Sequence, residues 1–494
     1  MKNLIIILTF ALILILPTAV QAQNYDWAIS SSGKLVDEGT AVCLDASGNS
    51  YIAGSFTSRP FGIGEFSFMN TAKPPNQQTA DMFVAKLDQT GKVLWAIRSE
   101  GIGEEKARAI SCDRTGHIVV AGLFKGQKAT FGTVEITNPK RNSISIFMLK
   151  VNALGKINWV KNEAQKSIKP SVNSVSTGPD GEIYMTGHFS NRGTFGGYPY
   201  KSKNGNNPAA FVAKYLANGE IKWLHQIYGT SGGGQKSQQS GEAIFATNDS
   251  RFVYVAGWFS GHVRFGEGKV LTSNNFRNKK GIPYQRNFFV TKYHADDARE
   301  IWTTPIGVTQ VNLSTSPVIK GIVVDNEGSS FITGHFPGTL IFGKDNLATT
   351  PSRSSKSYNF DIFLAKLDQN GKYLWHRNAG GNEDDRSNAI ALTEKGVMIT
   401  GSVSRNVKFG NNVSLLSGRI NSMFMAEYDT NGNALWAKGD KGKNLTGINQ
   451  GLAIANNGKN AVVVGTYLGN QIGFGNIKLK ETGSLNLFVA KNKK

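Results

Sequence analysis

Cysteine, histidine, proline and acidic residues are all scarce in this chain. Two cysteines, Cys43 and Cys112, cannot supply the many bridges of a small disulfide scaffold. The seven histidines show neither an H-E-x-x-H pattern nor any other metal-ligand spacing, so no metal and no cofactor is expected. Only 35 aspartates and glutamates stand against 55 lysines and arginines, a formal net charge of +20. There is one long apolar run, at the N-terminus, and no later stretch could span a bilayer as a helix. With 40% hydrophobic and 18% charged residues, the composition is globular rather than disordered.

The apolar run reads as a processing signal. Lys2 gives a positive start, Leu4 to Leu16 are apolar, and Pro17 ends the run. Val20-Gln21-Ala22 then places small residues at the −3 and −1 positions of a cleavage site. A secretory signal peptide is expected over 1–22, leaving a mature chain of 23–494 that is secreted or periplasmic. No cysteine follows the run, so a lipoprotein anchor is not expected.

The rest is repetitive, and four independent series agree on the count. A tryptophan recurs at Trp27, Trp95, Trp159, Trp223, Trp302, Trp375 and Trp436. The glycine of a Y-x-x-G-x-F pattern recurs at Gly54, Gly122, Gly187, Gly257, Gly334, Gly401 and Gly465. A Phe-Gly pair recurs from Phe61-Gly62 to Phe474-Gly475. An F-x-x-K motif ends in Lys86, Lys150, Lys214, Lys292, Lys366 and Lys491, while the sixth unit carries Glu427 instead. A lysine repeated so often reads as structural, since catalysis rarely needs six copies.

Each unit reads as four strands. In the first they are Thr40 to Asp45, Ser50 to Phe56, Met82 to Leu87 and Val93 to Ile97. D-x-x-G turns at Asp45 to Gly48 and Asp88 to Gly91 link them, with aspartate bonding backbone amides and glycine supplying positive φ. The second strand is apolar on both parities, as a strand covered on both faces must be. The seventh unit stops at Lys491 after its third strand, and Tyr25-Asp26-Trp27-Ala28 reads as a fourth strand with nothing before it. The reading is an all-β, seven-bladed β-propeller of four-stranded blades, its ring closed by the N-terminal strand completing the last blade. A monomer is expected. Cys43 and Cys112 fall in the same strand of adjacent units, one position out of step. Sheets stack about 10 Å apart and a disulfide needs Cα atoms within about 7 Å, so two buried thiols are expected.

Gly380-Gly381-Asn382-Glu383-Asp384-Asp385 through Ala389-Ile390-Ala391, and Ala107 to Phe124, resemble the seven-bladed beta-propeller repeat (SBBP) family. Seven imperfect copies cover the mature chain. Unit four departs most, with Ala298 for a turn glycine and Asn248 to Phe252 in place of D-x-x-G. The resemblance implies a propeller on a secreted or cell-surface protein of bacterial type and carries no agreed activity.

Propeller geometry puts the tight turns on one face and the long, dissimilar connections on the other, where binding is expected. The connections between second and third strands hold sixteen basic residues against five acidic ones. Candidate binding residues are Lys140, Arg141, Tyr198, Lys201, Lys203, Trp258, Arg277, Lys279, Lys280, Arg286, Arg353 and Lys356. Cations interleaved with aromatics suit polyanions, acidic polysaccharide first, or another envelope or extracellular protein. Nucleic acid is disfavoured for an exported chain. A solvated basic surface is the plain alternative.

No catalytic constellation is expected. His188 and His335, at the ends of second strands, read as hydrogen-bonded polar residues, and Glu104-Glu105 and Glu383-Asp384-Asp385 as acidic loops rather than a glycosidase pair. The leading expectation is a non-catalytic binding scaffold. A carbohydrate-active enzyme, hydrolase or lyase, and a structural envelope protein without ligand remain as alternatives.

Overall fold

The computed structural model describes residues 25–71, 79–230, 237–268, 270–273, 286–309, 317–348, 359–417, 421–440, 447–469, 471–480 and 482–493. The expected signal peptide lies outside them, as do Arg277, Lys279, Lys280, Arg353 and Lys356. Among the described residues every regular element is a strand, and no helix is long and apolar enough to cross a membrane.

The chain forms a seven-bladed β-propeller. Blade one consists of Asp37–Leu44, Ser50–Phe56, Asp81–Leu87 and Val93–Gly101, counted from the axis outward. The six other innermost strands are Glu104–Cys112, Ser171–Thr177, Gln238–Ala246, Val318–Val324, Arg386–Leu392 and Asn449–Asn456. Each packs against the next, and Asn449–Asn456 packs against Asp37–Leu44, so the inner strands make a cycle. In blade seven Tyr25–Ser30 pairs antiparallel with Asn486–Asn492, with Ala28 opposite Ala490.

The repeated residues hold this arrangement. Every inner strand carries a β-bulge, in blade one between Gly39 and Ala41. The bulge pushes a carbonyl against the second strand: a Cβ on Gly54 would lie 1.9 Å from the Glu38 oxygen and 2.7 Å from the Phe83 ring. Only glycine fits there. The Phe-Gly phenylalanine packs on the F-x-x-K phenylalanine of its own blade, with centroids 4.8 Å apart for Phe61–Phe83 and 4.7 Å for Phe265–Phe289. It also stands at the turn of a short hairpin absent from the four-strand reading, as in Lys128–Phe131 with Val134–Thr137, turning at Gly132 with φ +60°. That hairpin can extend the previous blade's outer strand, as Ala129 pairs with Gly101.

On the tight-turn face tryptophan and lysine together tie four of the blades to the next. Trp95 Nε1 and Lys86 Nζ both donate to the Ala153 carbonyl, at 3.1 and 3.2 Å. Trp159 and Lys150 share the Ala217 carbonyl, and Trp302 and Lys292 the Gln369 carbonyl. Trp27 and Lys491, near opposite ends of the chain, share the Gln89 carbonyl. The lysine series therefore has a structural duty.

The cysteines differ from expectation. Cys43 and Cys112 form a disulfide with Cα atoms 5.8 Å apart. The 10 Å spacing holds for parallel stacked sheets, whereas blades are wedges that converge at the axis, where both cysteines lie. Their offset of one position is the register between neighbouring inner strands. The same offset joins Ser111 to Thr177, whose hydroxyls lie 2.9 Å apart, and Ser176 to the Ala246 amide.

Candidate functional site

The bulges also build the channel wall. The extra residues are Thr40, Arg108, Asn173, Glu242, Lys320, Asn388 and Leu452. Each lies near the start of its inner strand, toward the long-connection face. Thr40, Asn173 and Asn388 spend their side chains on the next blade, donating to the carbonyls of Ala107, Gly241 and Gly451 at 2.9, 2.7 and 2.9 Å. Arg108 and Lys320 are exposed, and neither makes an ion pair within 4.0 Å among the described residues.

Around Lys320 lies a charged cluster contributed by blades four and five. The Arg286 guanidinium lies 3.9 Å from the Trp258 ring centroid, a stacked cation–π contact. Trp258 Nε1 donates to Glu242 Oε1 at 2.9 Å. Burial raises the Glu242 carboxyl above its ordinary range, while the Ser240 and Trp258 hydrogen bonds and the Lys320 and Arg286 charges pull it back. Arg286 is itself shifted down by burial. The cluster thus holds two cations, Arg286 and Lys320, against one carboxylate, Glu242.

His188 and His335 flank it. His188 Nδ1 lies 3.1 Å from Ser240 Oγ, and burial lowers its pKa to about 4. His335 Nδ1 lies 3.2 Å from the Ser387 carbonyl, and burial lowers its pKa to about 3. Both are neutral near pH 7 and packed into strand ends.

The two acidic clusters are likewise committed. Glu104 pairs with Lys106 at 2.6 Å and Asp384 with Arg386 at 2.9 Å. Glu383 faces Arg405 at 3.6 Å. Asp385 is fully buried and accepts from the Ser404 and Gly381 amides, both at 2.8 Å. Glu105 is fully buried beside Ser99. Among the described residues no group of three His, Cys, Asp or Glu could hold a metal ion.

Among the described candidate binding residues, Trp258 and Arg286 come together. Lys140 and Arg141 are exposed in the turn after Val134–Thr137. Tyr198, 65% exposed, and Lys201 lie on the hairpin strand Tyr198–Lys201 of blade three. Lys203 lies 4.1 Å over the Tyr228 ring at a cavity of about 1020 Å³ along the outer wall of blades three and four. Sequence reasoning missed Arg108, Glu242 and Lys320. A signal existed for two of them, which stand in a small-x-small pattern: Ala107-Arg108-Ala109 and Gly241-Glu242-Ala243.

The fold and its internal repeats place the chain among β-propeller repeat proteins. No family model matches it. An uncharacterized WD repeat-containing protein of Acanthamoeba polyphaga mimivirus is 22% identical over 524 residues, covering 91% of this chain. The chain spans 36% of that relative's length. Solved structures similar to it include an ulvan lyase of a new polysaccharide lyase family, with a TM-score of 0.44 and 11% identity, covering 88% of this chain and 93% of the other. The quinohemoprotein alcohol dehydrogenase of Comamonas testosteroni has a TM-score of 0.41 and 10% identity over 94% and 76% of the two chains. BamB of Moraxella catarrhalis has 0.36 and 11% over 95% and 97%. None of these likenesses carries an activity over to this chain.

Proposed function

We propose that this protein is an exported, non-catalytic binding scaffold that takes a polyanion, an acidic glycan first, at the long-connection mouth of its channel. One observation carries the reading: among the described residues Lys320 and Arg108 stand exposed on the channel wall with no ion pair within 4.0 Å, and Lys320 shares the Glu242 cluster with Arg286, stacked on Trp258. Uncommitted cations on a rigid wall attract anions without first breaking a salt bridge. The stacked guanidinium keeps donors free at its edge for carboxylate or sulfate oxygens. A binding role suits the neighbouring titratable groups, because His188 and His335 are buried, neutral and hydrogen-bonded. The SBBP repeat resemblance and the signal-peptide pattern over 1–22 support export to the envelope or beyond. The same reading takes Tyr25–Ser30 as the latch that closes the ring, which would keep the mouth at fixed diameter.

A screen of acidic and neutral polysaccharides against the mature protein at two salt concentrations tests this. Acidic glycans should bind and weaken with salt, and neutral ones should not bind. Salt-independent binding, or equal binding of neutral glycans, would remove the electrostatic basis of the proposal.

A further inference from the structure

The repeat supplies its own control for one buried charge on the opposite face. In blades one, two and five the F-x-x-K lysine faces the aspartate that opens the first tight turn: Lys86–Asp45 at 4.0 Å, Lys150–Asp113 at 3.8 Å and Lys366–Asp325 at 3.5 Å. Lys214 is served by Glu182 at 3.6 Å and Lys491 by Asp26 at 3.4 Å. In blade four that turn begins with Thr247, whose amide bonds the Phe252 carbonyl as the Asp325 amide bonds that of Ser329. Lys292 has no carboxylate within 4.0 Å among the described residues, although it is only 7% exposed. Its ammonium lies 4.0 Å over the Phe252 ring, 5.2 Å over Tyr254 and 3.4 Å from the Gln369 carbonyl.

The place of the missing carboxylate is open. Lys292 lines a cavity of about 250 Å³ between the turns of blades four and five, together with Thr247, Asn248, Arg251, Asn326 and Gln369. Two acids also line it and are already paired: Asp249 takes Arg251 Nε at 2.6 Å, and Asp325 takes Lys366. Glu327 sits at the exposed rim. A buried ammonium is costly unless paired, and ring faces offset only part of that cost.

We propose that this cavity binds a small oxyanion, a carboxylate or a phosphate, in the position that aspartate occupies in the sister blades, with Lys292 as its counter-ion and Arg251 at its edge. The site is independent of the channel mouth. Titrating the mature protein into inorganic phosphate and, separately, into acetate, with the ³¹P or ¹³C linewidth of the anion as readout, tests it. The wild type should broaden at least one of the two signals saturably, and the responding anion identifies the ligand chemistry. Thr247→Asp, which restores the internal carboxylate, and Lys292→Met, which removes the charge, should each abolish that component, while Lys320→Ala should leave it intact. No saturable broadening with either anion, or broadening undiminished in Thr247→Asp or Lys292→Met, would overturn the proposal.

Discussion

Trp436 Nε1 donates to Glu427 Oε2 at 2.7 Å, inside its own blade, whereas the six sister tryptophans donate to a backbone carbonyl of the next blade's outer turn. The exception has a topological cause. In blade seven the two outermost strands are Asn486–Asn492 and Tyr25–Ser30, from opposite ends of the chain, and no tight turn joins them to offer a carbonyl. The glutamate that replaces lysine in the sixth F-x-x-K motif supplies the acceptor. Glu427→Ala should destabilise the protein by about 1–3 kcal/mol, the cost of stranding a partly buried donor. Glu427→Gln, which keeps an oxygen in place, should recover most of it. Urea denaturation of the three chains checks the order.

The same seam can be tested from its other side. A chain lacking Tyr25–Ser30 loses a whole outer strand, the Trp27 and Lys491 bonds to Gln89 lose one member, and a long unpaired edge opens. Its melting temperature should fall steeply and it should aggregate. An unchanged melting temperature would mean that the N-terminal strand does not latch the ring.

Fully buried Asp385 sets a pH dependence. Burial raises its pKa to about 8, with Asp361 adding to the shift, while the Ser404 and Gly381 amides pull it down. In the unfolded chain the same carboxyl ionises near pH 4. Between these values the folded state holds the extra proton, so this group's contribution to stability declines as pH rises from about 4 to about 8. Asp385→Asn cannot ionise and should flatten that part of the stability profile. Thermal melting of both chains across this range checks the slope, and parallel profiles would contradict the assignment.

The Cys43–Cys112 bridge ties two neighbouring inner strands across 69 residues of sequence. Reduction, or the double change Cys43→Ser and Cys112→Ser, should cost about 2–4 kcal/mol. Serine at both positions mimics the Ser111–Thr177 contact of the next junction, so the fold itself should survive. Melting with and without reductant, with thiol counting, measures this.

The blades were legible because their determinants recur. Gly54 and its six counterparts answer one clash, and six of the tryptophans answer one set of turn carbonyls that four of the lysines share, so repetition makes each series visible. The extra hairpins were marked by the same Phe-Gly pairs but escaped notice, because two strands of three or four residues leave little periodicity. The channel wall was illegible for the opposite reason. Arg108, Glu242 and Lys320 occupy bulge positions that alternation does not announce, and a wall residue is free to differ from blade to blade. The disulfide was misjudged because spacing at the axis depends on wedge geometry, which no pair of neighbouring residues encodes. Trp258 and Arg286 were found separately, by motif and by charge, and only folding stacks one on the other.

The role of the channel mouth is tested most directly by titration calorimetry of an acidic polysaccharide into the wild type and the Arg286→Ala, Lys320→Ala double variant, at low and at physiological salt. The proposed role predicts at least tenfold weaker binding by the double variant at low salt, about 1.4 kcal/mol, and a shallower salt dependence, with the melting temperature little changed. Equal affinity of the two proteins at both salt concentrations would contradict it.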